Sequence, residues 1–406
     1  MRSRTHAALA LAFAVTAARA EEPMEHMHHH GEPEPTFQDG SGTSWLPASS
    51  PHEGLMTERG AWDLMFHYNA FAGVVTNDAD DGTTKGFTTN WLMGMARWKT
   101  KGTLLLRGML SLEAPFLGRD GYPLLMQTGE GLVDRQHPHD LFMELAARYD
   151  LPLCASTTFE AYVAPVGEPA LGPPAFAHRP SAATNPLAPL GHHWEDSTHI
   201  SFGVITAGAY WKHVKVEGSA FNGREPDADR YDIDLDPLDS YSARVSFNPG
   251  KSWSAQVSSG KLHDPEQDEP GVDVWRTTAS VSYEASGWAS TLVWGRNDPS
   301  DGAPSDAWLL ESSWAFGPHA VFGRAEYVEK DAREFELGGA GERLPVGDLA
   351  VGYSHRILEK AGVIIDAGAR GSVGFVGSKL ADRYGTSHPV SGAIFLRVHP
   401  AAMHHE

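Results

Sequence analysis

The sequence predicts an all-β fold: a transmembrane, antiparallel, up-and-down β-barrel of about sixteen strands, within a range of about fourteen to eighteen. Three observations carry the prediction. Runs of about ten residues alternate apolar and polar side chains, the period of a strand with one oily and one wet face. The links between these runs are alternately short and long. Glycine (42 residues) and tryptophan (12 residues) are abundant, which suits many turns and aromatic belts better than a helical core.

Taken in order, residues 1–20 read as a secretory signal. Arg2 and Arg4 make a basic start, Ala7–Val15 a short apolar core, and Ala18-Arg19-Ala20 a small-x-small cleavage site. The apolar core falls far short of the roughly 20 residues needed to span as a helix. Residues 21–59 form a flexible lead-in, with a soft-metal composition in Met24-Glu25-His26-Met27-His28-His29-His30. Gly, Ser and Pro between Gly40 and Pro51 exclude regular structure there, and the segment is expected to fold against the barrel mouth.

The barrel is expected over 60–400, followed by a His-containing tail, 401–406. In Ala61–Ala72, Trp62, Leu64, Phe66 and Tyr68 share one face, with Asp63, Met65, His67 and Asn69 on the other. Gly102–Glu113, Ser240–Asn248, Ala307–Phe316 and Ala320–Val328 repeat the pattern, each placing charge on the second face. That face is read as lumen lining, with Arg107, Glu113, Glu144, Arg148, Glu160, Arg244, Arg276, Glu311, Arg324 and Glu326 as its charged members. Period alone does not distinguish this from a soluble sandwich with the faces reversed. The links do. Short joins at Lys99–Gly102, Leu151–Leu153, Trp211–Val214, Asn248–Lys251, Ala285–Gly287, Gly317–His319 and Leu358–Ala361 alternate with long ones throughout. Short periplasmic turns and long outer loops fit a barrel with both termini periplasmic; a Greek-key sandwich has no reason for such alternation.

The two longest links, Ala114–His139 and Pro165–Thr198, exceed ordinary loop lengths and are expected to fold inward or form a lid. They hold His137, His139, His178, His192, His193 and His199, the last three near Glu195 and Asp196. Two readings stand side by side: a hydrogen-bonded network pinning the loops inside the barrel, or metal ligation by a subset. Met27 with His26, His28, His29 and His30 offers a separate site for copper or another divalent metal. No cofactor is required by either reading.

A net charge of −20 argues against nucleic acid as a partner. One cysteine, Cys154, excludes an intrachain disulfide and a Cys-based zinc site. An enzyme is not expected: Ser197 and His199 have a chance spacing, and no nucleophile-elbow motif is present.

His192-His193-Trp194-Glu195-Asp196-Ser197-Thr198-His199, Phe221-Asn222-Gly223-Arg224-Glu225-Pro226-Asp227 and Ile394-Phe395-Leu396-Arg397-Val398-His399-Pro400 resemble segments of a poorly characterised group of porin-like outer-membrane barrels of Gram-negative bacteria. The His/Met tail resembles, in composition, copper-resistance outer-membrane proteins. The resemblance implies a channel or transport barrel of unknown solute, with outer-membrane lipid and the barrel-assembly machinery as partners. The alternative it implies is a metal-binding or copper-resistance protein, and a hydrolase is the third class. Such barrels commonly end on an aromatic residue; here a tail through Glu406 follows Phe395.

Overall fold

The computed structural model describes residues 36–79, 84–117, 125–126, 138–227, 229–266, 270–335, 337 and 341–401. The signal-like segment, Met24 and the His26–His30 run with Met27, His137, and residues 402–406 lie outside the described residues.

Three short strands come first: β1 (Phe37–Asp39), β2 (Trp45–Pro47) and β3 (Leu55–Arg59). Sixteen longer ones follow: β4 (Trp62–Asn77), β5 (Thr84–Lys99), β6 (Thr103–Leu110), β7 (Phe142–Cys154), β8 (Thr157–Gly167), β9 (Ser201–Trp211), β10 (Val214–Phe221), β11 (Ser240–Gly250), β12 (Trp253–Leu262), β13 (Val274–Ala285), β14 (Trp288–Pro299), β15 (Ser305–Phe316), β16 (His319–Asp331), β17 (Arg343–Lys360), β18 (Val363–Val376) and β19 (Val390–Pro400). Each pairs antiparallel with the next, and β19 returns to β4 from Ser391↔Asn77 to Val398↔Ala70, closing the barrel. The first part of β4, which β19 does not reach, is paired instead by β3, from Leu55↔Phe66 to Arg59↔Trp62. Closure gives each of β4–β19 a neighbour on both sides, so their backbone N–H and C=O groups find partners without solvent; β3 pairs with β4 alone.

The alternation resolves the ambiguity of period. Along β11, Tyr241, Val245 and Phe247 face out while Ser242, Arg244 and Ser246 are buried inside. On β15, Trp308, Leu310 and Trp314 face out and Leu309, Glu311 and Ser313 face in. The oily surface is therefore the exterior, the reverse of a water-soluble barrel. Aromatic residues band it at both ends. Trp98, Trp211, Trp253, Trp288 and Trp314 sit beside the short turns, and Tyr241, Trp275, Trp308 and Tyr327 lie towards the long loops. No helix among the described residues is long and apolar enough to cross a membrane.

Three expectations need correction. The turn expected at Leu151–Leu153 falls at Ala155 and Ser156, because β7 runs on to Cys154. Pro152, read as a turn residue, is absorbed by a register irregularity between Pro152 and Cys154, where a missing ladder donor is tolerated. Glu113 is not on β6, which stops at Leu110. It opens a short helix, α1 (Glu113–Leu117), and its carboxylate accepts the backbone N–H groups of Asn90 (3.0 Å) and His139 (3.1 Å). The lead-in is not irregular, since β1 and β2 pair as a hairpin and β3 joins the barrel wall. At the other end of the chain the strand runs as the sequence places it: β19 continues past Phe395 to Pro400, and the Phe395 ring is buried inside, against Phe71.

Candidate functional site

The lumen is filled by the chain itself. The link between β8 and β9 folds inward, and almost every residue from 166 to 200 is buried or nearly so. Composition explains why it tolerates the interior. Pro169, Pro173, Pro174, Pro180, Pro186 and Pro189 carry no N–H that would need a partner. Its apolar residues land on apolar patches of the inner wall: Leu171 beside Tyr162, Val204 and Phe221; Leu187 beside Phe71, Phe322 and Phe395; Leu190 and Trp194 beside Ala307 and Val328. Many of the remaining donors are met within the loop, as where Ala182 N donates to the Arg179 carbonyl (3.0 Å), and others by wall side chains. Ala170 N donates to Ser219 Oγ (2.7 Å), Gly172 N to Ser258 Oγ (2.8 Å), and Trp194 Nε1 to Ser305 Oγ (2.8 Å). Gly295 on β14 lets the loop backbone in, since a Cβ there would stand 2.3 Å from the Trp194 carbonyl oxygen.

The loop ends in a one-turn helix, α2 (His192–Glu195). Its polar anchor is Arg179, fully buried, whose Nε donates to Glu311 Oε1 and Nη1 to Asp196 Oδ2, both at 2.7 Å. Asp196 also accepts from Phe176 N (2.8 Å) and meets His192 Nδ1 at 2.6 Å. Burial pushes the Asp196 carboxyl up, but Arg179 and His192 outweigh it and hold it well below the usual range. Glu195 next to it is different. Neither of its carboxylate oxygens has a hydrogen-bond partner among the described residues, and burial, reinforced by Asp196, pushes its pKa well up.

The lead-in hairpin enters from the short-turn end. Thr36 and Leu46 carbonyls accept from Asn248, and Ser49 Oγ donates to the Lys251 and Glu284 carbonyls. Its tip reaches the loop, where Ser41 Oγ accepts from Ala175 N (2.8 Å). The ten charged residues expected along the lumen all lie inside and buried. They contact the two inserted segments and one another rather than open space. Arg107 meets Glu144 (3.3 Å) and the Gly42 carbonyl (3.1 Å). Arg148 holds Asp39 (2.9 Å) and stands 3.7 Å from Glu160. Arg244 binds Glu217 (2.9 Å) and Thr43 Oγ1 (3.0 Å), and Arg276 binds Ser197 Oγ (2.7 Å). Arg324 donates to Glu311 (3.2 Å) and to the Leu187 carbonyl (2.9 Å), and Glu326 accepts from Leu190 N (2.5 Å). Glu113, at the start of the neighbouring long link, holds that link's end at His139, as described above.

His178 stands apart, with its ring against Trp91 (centroids 4.7 Å), and the other described histidines of the two long links divide into two groups. His139, His192 and His199 gather around Phe176, with ring centroids 5.4 Å apart for His139–His199 and 4.9 Å for His192–His199. Each Nδ1 faces an acceptor: Glu113 for His139 (3.1 Å), Asp196 for His192, and the Asp196 carbonyl for His199 (2.9 Å). Burial, then His192 and His139, push the His199 pKa well down. Their ring contacts pack the rings around Phe176, and among the described residues these three do not bring their nitrogens to one ligating centre. His193 points the other way, towards Glu225 in the β10–β11 link and Glu266 in the β12–β13 link, 3.5 and 3.4 Å from its Nδ1. Burial lowers its pKa, but the two carboxylates more than offset this and raise it to about 9. Neither glutamate was legible as a site residue, because neither shares a spacing pattern with His193.

Glu168 gives this network a pH dependence. Its carboxyl is buried at the start of the loop and pushed up to about 8 by burial. Arg244 at 3.9 Å and Ser41 oppose this, while Glu144 and Asp196 add to it. A carboxyl raised in the fold is bound better neutral, so its contribution is greatest below the unfolded value of about 4.5 and is lost as pH rises to about 8, at about 1.4 kcal/mol per unit of difference. Urea unfolding of the barrel in lipid vesicles at pH 5 and pH 9 should therefore show Glu168→Gln flattening the slope and stabilising the alkaline end. An unchanged slope in the variant would assign the pH dependence elsewhere.

No family model matches the chain, and no curated protein matches it. Solved structures do match in fold. An OmpF of Salmonella typhi, in complex with daunomycin, superposes with a TM-score of 0.54 at 9% identity over 84% of this chain and 100% of that one. An anion-selective porin from Comamonas acidovorans gives 0.51 at 10% identity, again over 84% and 100%. A loop-deletion mutant of OmpT, an outer-membrane protein of Vibrio cholerae, gives 0.50 at 8%, over 84% and 99%. The chain is similar to these in fold: a closed sixteen-strand antiparallel barrel of the porin kind.

Proposed function

We propose that the protein is a porin-like channel of the bacterial outer membrane whose passage is restricted by its own inserted segments. One observation carries this reading: a closed sixteen-strand barrel is oily outside and charged inside, with the β8–β9 loop bound across its lumen through Arg179. An apolar exterior banded by tryptophans suits a bilayer. Open sixteen-strand barrels leave an aqueous channel. Here that space holds Leu171, Leu187 and Trp194, and the cavity left beside His139 is only about 40 Å³. The described chain ends lie with the short turns, which fits termini on the periplasmic side.

The test is reconstitution of the whole protein into planar bilayers. Step conductances far below those of an open sixteen-strand barrel are expected, together with recovery in outer-membrane fractions and heat-modifiable gel mobility. Recovery in the soluble periplasm overturns the membrane reading, and conductance equal to an open barrel overturns the restriction.

A further inference from the structure

We propose that His193, Glu225 and Glu266 form a divalent-cation site of the zinc class that clamps the lumen-filling loop to two outer loops. The three ligand atoms, His193 Nδ1 and one carboxylate oxygen from each glutamate, lie within 4.8 Å of one another. Their spacing argues for an ion between them. Ligands about 2.1 Å from a tetrahedral centre stand about 3.4 Å from one another. The imidazole–carboxylate distances are 3.4 and 3.5 Å. A direct charge-assisted hydrogen bond would close to about 2.7–2.9 Å. The imidazole is thus held at ligand spacing from two carboxylates and bonded tightly to neither.

The imidazole is also pre-positioned. Its side chain is only 6% exposed, and its backbone carbonyl accepts from Asn297 Nδ2 (3.0 Å) on the barrel wall. The ring therefore cannot swing out to water, and its Nε2 is buried without a hydrogen-bond partner among the described residues. The two outer loops are themselves joined where the site forms, since Glu225 N donates to the Pro265 carbonyl (3.0 Å). A cavity of about 410 Å³ opens beside the site, where Glu225, Asp227, Asp234, Asp236, Asp264 and Glu266 outnumber one cation, Arg224, which pairs with Asp264 (2.5 Å). Its acidic walls draw cations in and leave room for water as the remaining ligand. One nitrogen and two carboxylate oxygens suit Zn²⁺ better than Ca²⁺ or Mg²⁺, which take oxygen sets, or Cu⁺, which takes sulfur. A bound ion would tie α2, and with it the loop that Arg179 holds across the lumen, to the long-loop rim. The site itself does not depend on the channel reading, because metal binding is measured without reference to conductance.

The experiment uses the full chain refolded in detergent, with His26, His28, His29, His30, His404 and His405 changed to Ala so that the tails do not compete. Titration with Zn²⁺ should give about one ion per chain, and Co²⁺ should give the visible absorption of a four-coordinate nitrogen–oxygen site. Glu266→Gln, a half-exposed rim position, should weaken binding at least about tenfold with gel mobility unchanged, and His193→Ala should abolish it. Asp232→Asn, in the separate Asp227–Asp232–Asp234 group, should leave it intact. Absence of zinc binding in the tail-substituted protein overturns the proposal. So does undiminished binding by Glu266→Gln, or loss of binding on Asp232→Asn.

Discussion

Replacing Pro169–Leu190 with a short Gly-Ser link should raise single-channel conductance by about tenfold or more, because an unplugged sixteen-strand barrel holds a continuous aqueous channel. The expectation follows from what the loop fills. Leu171, Leu187 and Leu190 plug onto three separate patches of the wall, and Arg179 and Ser181 both bind Glu311. The wall would lose no strand pairing, since β8 and β9 pair from Thr157↔Trp211 to Gly167↔Ser201 without the loop. The lead-in hairpin would remain, so the trimmed barrel should still conduct less than one lacking residues 36–50 as well. Single-channel recordings decide it: equal conductance with and without the loop would mean that the loop does not occlude the lumen.

Arg179→Met should cost about 3–5 kcal/mol, the penalty for removing one partner of a buried ion network. Arg179 is wholly inaccessible and sits between Glu311 and Asp196, two carboxylates that are likewise buried. Without it Asp196 keeps only His192 and the Phe176 N–H, and Glu311 keeps Arg324 and Ser181. The loop should then detach before the wall unfolds. Limited chymotrypsin digestion would show cleavage near Phe176 at urea concentrations where the barrel still runs in its folded gel position. Arg179→Lys should be intermediate, because a point charge cannot serve both carboxylates as the planar guanidinium does. Protection of the loop equal to the unmodified protein would show that the apolar anchors alone hold it.

How much of this was legible in the sequence varied with the range of the interaction. Strand parity was legible because it is local. Tyr241, Val245 and Phe247 alternate with Ser242, Arg244 and Ser246, and the bilayer-facing and lumen-facing solvents impose that period on every strand. The turn at Ala155–Ser156 was missed because Pro152 carries a strong local signal that a bulge overrode. The lead-in was misread for another reason. Its Gly and Ser residues cannot build a core, but the barrel supplies one: Phe37 stacks on Trp45 at 4.0 Å, and Asp39 is met by Arg97 and Arg148 from the wall. The histidines were legible as a group, but their division was not. Which of two adjacent residues, His192 or His193, faces Asp196 and which faces Glu225 and Glu266 depends on how three distant links are brought together by closure. No spacing in one segment encodes that.

The short strand β3 bears on how such a barrel is assembled. Its pairing with β4 is a local hairpin across Gly60, with loop-closure entropy near the minimum. The closing contact is the opposite case: Val390 N donates to Asp78 Oδ1 across 312 residues of chain. The seam is thus divided into an early half and a late half along the same strand. β3 can template the first part of β4 while the chain is still open, leaving a recessed notch into which β19 zips over only eight residue pairs. Contact order assigns the rate limit to that last zipping step. Changes in β3 should accordingly alter how fast newly made protein becomes heat-modifiable more than they alter the stability of the finished barrel.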